Sequence, residues 1–131
     1  MKKVAAIIMF ALLSITLAAF AGDDPNIKGA QREGIQKAMQ MHVIDKAVNG
    51  YYVLYDPVTN DVKNLKFKKL NSGIVMEEGF FVSCADFTDI RGKAYGVDFL
   101  VLNKNGRFIV VESVLHKVDG QKRKYQLKAA Q

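Results

Sequence analysis

Four side chains in this sequence have types and settings that could support chemistry: Cys84, Asp98, Glu112 and His116. Cys84 stands inside Phe81-Val82-Ser83-Cys84-Ala85-Asp86-Phe87. Strand alternation puts Phe80, Val82, Cys84 and Asp86 on one face, and Phe81, Ser83, Ala85 and Phe87 on the other. A free cysteine in such a run is ordinarily a small buried hydrophobe. To act as a nucleophile it needs a base in reach and a lowered pKa. With two histidines in the chain, His116 is the partner to consider. Asp98 interrupts Val97-Asp98-Phe99-Leu100-Val101, and Glu112 interrupts Val110-Val111-Glu112-Ser113-Val114. A carboxylate there is costly to bury unless it is paired or hydrogen-bonded. Three accounts are open: a position facing water or a pocket mouth, an ion pair with a neighbouring strand, or a functional acid with a raised pKa. If Asp86, Asp98, Glu112 and His116 converged, they could do acid–base work or bind a metal. Their spacing follows no metal-ligand pattern, so neither a metal nor a cofactor is expected.

Three of the four sit in the stretch Ala94 to Val118, which reads as two long strands joined at Asn105-Gly106. An Asn-Gly pair between apolar runs is the strongest short-range hairpin signal, because a type I′ turn needs φ > 0 at both central residues. A two-residue loop sets Lys104 opposite Arg107 and predicts the pairs Val101–Val110, Phe99–Glu112, Val97–Val114 and Tyr95–His116. The other face then carries Leu102–Ile109, Leu100–Val111, Asp98–Ser113 and Gly96–Leu115. A three-residue loop would oppose Asp98 to Glu112, and like charges face to face are unfavourable. Both faces of the hairpin are largely apolar, so something must cover each side.

The chain opens on Met1-Lys2-Lys3, an apolar run from Val4 to Leu17, and Ala19-Phe20-Ala21 before Gly22. That is the pattern of a cleaved signal peptide spanning residues 1–21. The apolar run is short for a membrane span, which takes ~20 residues. An exported protein without a membrane span after cleavage, periplasmic or extracellular, is therefore expected. Removing the leader takes away Lys2 and Lys3 and lowers the formal charge from +6 to +4. Residues 22–131 suit one domain with one core. A single cysteine means no intrachain disulfide. The basic residues are spread along the chain and lack interleaved aromatics, which argues against nucleic acid.

In chain order, Ile27 to Val48 has helical periodicity, and its C-terminal half is apolar almost all round, as in an enclosed helix. Asn49-Gly50 ends it, with Gly50 as the left-handed cap. Tyr51 to Tyr55 is a strand, Asp56 to Asp61 a turn, and Val62 to Leu70 a strand with outward lysines. Asn71-Ser72-Gly73 turns into a short piece, Ile74-Val75-Met76. Phe80 to Thr88 leads through a loop to the hairpin. Asp119-Gly120 is a further turn, Lys122 to Leu127 a short edge strand, and Lys128 to Gln131 a frayed end.

The expected class is α+β: one long N-terminal helix packed against a curved antiparallel meander of about five to six strands. This arrangement resembles the cystatin-like and nuclear-transport-factor-like folds. Tyr52-Val53-Leu54-Tyr55-Asp56-Pro57-Val58-Thr59-Asn60-Asp61-Val62 is similar to the strand-turn-strand of PepSY-type exported domains. Cystatins carry a Gln-x-Val-x-Gly hairpin that enters a protease cleft, and this chain lacks it. The resemblance therefore implies a fold and not protease inhibition.

The expected function is a small, non-enzymatic binding or interaction module. One partner would be a second copy or another protein covering the second apolar sheet face. Another would be an anionic envelope component held by Lys117, Lys122, Arg123 and Lys124. The alternative is a small-ligand binder or enzyme with a pocket between helix and sheet. Tyr51, Tyr55, Tyr95 and Phe99 would line it, with Asp98, Glu112 and His116 as its polar groups.

Overall fold

Among the described residues three pairs, Asn49-Gly50, Asn105-Gly106 and Asp119-Gly120, have φ > 0 at both residues. Each closes a two-residue hairpin of the type I′ kind, whose twist matches that of the strands it joins. These turns organise the computed structural model, which describes residues 22–124. The leader at 1–21 and residues 125–131, including the frayed end and half of the last expected strand, lie outside the described residues. The elements are α1 (Ala30–Asp45), β1 (Ala47–Val48), β2 (Tyr51–Asp56), β3 (Asp61–Glu77), β4 (Phe80–Thr88), β5 (Ala94–Lys104), β6 (Arg107–Val118) and β7 (Gln121–Lys122). All seven strands form one antiparallel sheet in meander order. The class is α+β, with seven strands rather than five or six.

The added strand is β1. Its residues continue the helical pattern, yet α1 stops at Asp45 and Ala47–Val48 pair with Tyr51–Tyr52. Gly50 therefore serves a hairpin and is not a helix cap. Asn71-Ser72-Gly73 is likewise no turn. It is an irregular passage within β3, whose register on β4 shifts between Leu70 and Ile74. Side chains stitch it down: Ser83 Oγ donates to the Gly73 carbonyl at 2.7 Å, and Asn71 Nδ2 donates to Cys84 Sγ at 2.9 Å. Arg32 bonds the Ser72 carbonyl. The Asp24 amide donates to the Ile74 carbonyl at 2.8 Å.

Along α1, Ile35, Met39 and Val43 recur every four residues and are buried, forming one stripe. They join a core with Tyr52, Leu54, Leu65, Ile74, Phe81, Ala85, Phe87, Tyr95, Val97, Phe99, Val101 and Leu115. Met41 and Ile44 are exposed by 46% and 59%. The second half of the helix thus buries one side only and is not enclosed.

The central hairpin begins as its Asn-Gly turn dictates, with Lys104↔Arg107, Leu102↔Ile109 and Val101↔Val110. A bulge at Val111 then moves the register, giving Leu100↔Glu112, Phe99↔Ser113, Asp98↔Val114 and Val97↔Leu115. A second shift leaves out His116, so that Gly96 pairs with Lys117 and Tyr95 with Val118. Because side chains alternate strictly, the first bulge decides which residue faces inward. Ser113, not Glu112, shares the face of Phe99.

Candidate functional site

The two ends of the sheet approach each other, since Tyr52 of β2 donates a 2.8 Å hydrogen bond to Ser113 Oγ of β6. Between these strands lies an open cleft of about 680 Å³. Val53, Leu54, Tyr55 and Val58 form one wall, and Val111, Val114 and Leu115 the other. That size and apolar lining, with a few converging polar groups, are usual for a ligand site.

The polar groups form two bridges across the cleft. In the first, His42 Nε2 lies 3.1 Å from Tyr52 Oη, which in turn donates to Ser113 Oγ. With the tyrosine proton directed at serine, His42 is the donor to the phenolic oxygen. Ring packing fixes the row. His42 meets Tyr52 and Phe99 edge-on at centroid distances of 5.8 and 5.7 Å, and Tyr52 stacks on Phe87 at 5.2 Å. Burial, and to a lesser degree Lys46, lower the His42 pKa, while Asp45 opposes them. The ring is therefore neutral at neutral pH. Burial raises the Tyr52 pKa against the Ser113 hydrogen bond.

The second bridge is ionic. Arg123 Nη1 donates to Asp56 Oδ1 at 2.5 Å, and Asp56 is fully buried. Asp56 also accepts from Thr59 Oγ1 at 2.9 Å and from the Val58 amide at 3.0 Å. Between the bridges both strand edges are uncovered among the described residues. β1 pairs only with Tyr51 and Tyr52, and β7 only with Lys117 and Val118. The ladder beyond β7 extends by one bond, from the Arg123 amide to the His116 carbonyl at 2.6 Å. Val53–Asp56 and Val111–Leu115 thus line the cleft with backbone that has no strand partner on that side among the described residues.

No protein-family model, curated protein or solved structure matches this chain. Its site must be judged on its own geometry. No helix among the described residues is long and apolar enough to cross a membrane.

The opposite face of the sheet holds the cysteine. Cys84 pairs across strands with Asp98, and Asp98 Oδ2 lies 3.4 Å from His116 Nδ1. The carboxylate thus has a strand partner in Cys84 and a side-chain partner in His116. Burial pushes the Cys84 thiol pKa up, Asn71 opposes this, and Asp98 and Asp86 push it further up. A thiol between two carboxylates is held in its protonated, weakly nucleophilic form. Among the described residues no group of three or more His, Cys, Asp or Glu side chains could hold a metal ion.

The expected site residues are distributed over the molecule. Glu112 and Tyr55 line the cleft, and Tyr55 is exposed with its hydroxyl on Asn60 at 2.6 Å. Phe99 lies in the core. Tyr51 and Tyr95 line a separate groove near Asp89 and Arg91, where Tyr95 donates to Asp89 at 3.2 Å. Asp98, His116 and Cys84 share the far face. The basic cluster also divides: Arg123 and Lys124 line the cleft, and Lys117 lines a groove elsewhere. His42, Tyr52, Asp56 and Ser113 went unnoticed in the sequence. Strict alternation of Tyr52, Leu54 and Asp56 does mark Asp56 as inward-facing. Nothing in the sequence marks Ser113, whose direction depends on the bulge.

Proposed function

We propose that this protein is an exported, non-enzymatic binding module that takes an extended peptide segment into the cleft between β2 and β6. The observation that carries this reading is the pair of strand edges lining one groove, neither of which is covered by another strand among the described residues. An extended peptide added there gains main-chain hydrogen bonds from the edges, and apolar walls receive its alternate side chains. Catalysis is the weaker reading. Ser113 receives a proton donor in place of a base, and the Cys84 thiol is held protonated. A small-ligand site is the second reading, favoured by the cleft volume and by the His42–Tyr52–Ser113 row.

Panning the mature protein against a displayed library of random heptapeptides tests the proposal. Enriched peptides should slow amide exchange at Val53–Asp56 and Val111–Leu115. Ser113→Arg should abolish binding while circular dichroism stays unchanged. Protection confined to another surface would sink the peptide reading. Failure to enrich any peptide, with fragment binding that shifts the His42 and Tyr52 resonances, would assign the cleft to small ligands. Peptide-free self-association that protects the same amides would assign the edges to a second copy.

A further inference from the structure

On the sheet face away from α1, the registers set Lys69 opposite Asp86, Asp86 opposite Gly96, Gly96 opposite Lys117, and Lys117 opposite Lys122. Cross-strand partners point to one side, so these five residues form a single row across β3 to β7. Lys68, left out of the register by the bulge between Phe67 and Lys69, lines the same groove as Lys69, Asp86, Gly96 and Lys117. The groove has a volume of about 460 Å³. A Cβ on Gly96 would lie 3.1 Å from that of Lys117, so glycine here leaves the lane along which the lysine stem runs. Lys68, Lys69 and Lys117 line the groove with Asp86 as its one carboxylate, Lys122 extends the row beyond it, and Asp86 lies 4.0 Å from Lys69; Asp98, on the same face, is engaged with His116. Lys117 and Lys122 face each other directly, a like-charge arrangement that a sheet ordinarily avoids. Neither makes an ion pair with a described residue.

We propose that this groove binds a linear polyanion, laid across the strands from Lys69 towards Lys122. Neighbouring strands are ~4.8 Å apart, so the row spans ~19 Å, too long for one phosphate and suited to anionic groups repeated along a chain. The polymer is not a single-stranded nucleic acid. Phe87 and Tyr95, the aromatics at this groove, are 1% and 6% exposed and offer no stacking platform. The site lies outside the peptide cleft and does not depend on it. Its lysines are of a different set from Arg123, which is committed to Asp56.

Titration of the mature protein with medium-chain inorganic polyphosphate tests this, with orthophosphate at equal phosphate concentration and anionic-lipid vesicles as separate arms. Polyphosphate should bind and orthophosphate should not. Affinity should fall as salt rises through the range where the Debye length shrinks below ~10 Å. Lys117→Gln and Lys122→Gln should each weaken binding about five-fold. Each should also raise Tm in low salt, because it relieves the like-charge pair; a merely structural role would lower it. Lys28→Gln, on the N-terminal lead-in, should leave the affinity unchanged. No polyphosphate binding, binding indifferent to the two lysine variants, or binding to vesicles alone would each overturn the proposal.

Discussion

Asp56 belongs by sequence to an Asp-Pro turn and by structure to the interior. Burial pushes its pKa up, but hydrogen bonds from Arg123, Thr59 and the Val58 amide outweigh that and leave it below the usual carboxylate value. The folded state thus binds fewer protons than the unfolded chain. The stabilisation is complete above the unfolded pKa of ~3.9 and is lost as pH falls through the lower folded value. Asp56→Ala strands Arg123, whose side chain is only 18% exposed. Breaking such a pair from one side costs about 3–5 kcal/mol, which urea denaturation at neutral pH should register. The gap to the parent protein should narrow in strong acid. A loss no larger than that of an exposed ion pair would contradict the assignment. Cys84 allows a second test at this scale. Its raised thiol pKa should make it react more slowly with a disulfide reagent at neutral pH than a free cysteine does, with the rate still climbing into alkaline solution.

Turn chemistry made much of the element pattern legible. Asn105-Gly106 specified the central hairpin and its first pairs, because few residues other than Asn, Asp and Gly tolerate positive φ. Beyond Val101 the pattern gave no guidance. Val110 and Val111 are both apolar, so their order cannot say which one is left out as the bulge, and every later pair shifts with that choice. Asn71-Ser72-Gly73 misled for a related reason. Residues that form turns also form bulges, and contacts from Arg32, Ser83 and Cys84 decided between the two. Gly34 is a tertiary constraint that no helix pattern reveals. A Cβ there would come within 2.6 and 2.7 Å of the Phe108 ring. Alanine gains ~1 kcal/mol of helix propensity over glycine, and overpacking costs ~1–3 kcal/mol. Gly34→Ala should therefore lower Tm, and Phe108→Leu in the same chain should recover part of the loss. A higher Tm for the single variant would show that the ring moves aside freely. Gly106→Ala meets no neighbouring atom within 4 Å, and its cost of ~1–2 kcal/mol should come from φ +84 alone.

At the scale of the whole molecule, one helix with an antiparallel meander is what periodicity predicts, whereas the meeting of the sheet's two ends is not legible in it. Both bridges link residues far apart in the chain, 61 positions for Tyr52 and Ser113 and 67 for Asp56 and Arg123. No local pattern reports such pairs. The two bridges also differ in their response to acid, because one is ionic and the other includes an imidazole whose burial disfavours its charged form. His42 has its pKa lowered chiefly by burial and also by Lys46. Its folded value lies below that of an exposed histidine, so conformations that expose the ring take up a proton first. As pH falls below ~6.5, proton binding therefore favours separation of the sheet ends. Amide exchange at Val53–Asp56 and Val111–Leu115, corrected for intrinsic rates, should accelerate over that interval while β4 and β5 stay protected. His42→Gln should remove the dependence. Tyr52→Phe should raise exchange at both edges across the whole pH range. It keeps the ring stacked on Phe87 and loses only the hydroxyl bonds, each worth about 1 kcal/mol. Acceleration that persists in His42→Gln would move the acid response away from this bridge, and unchanged edges in Tyr52→Phe would mean that the Asp56–Arg123 pair holds the ends together without it.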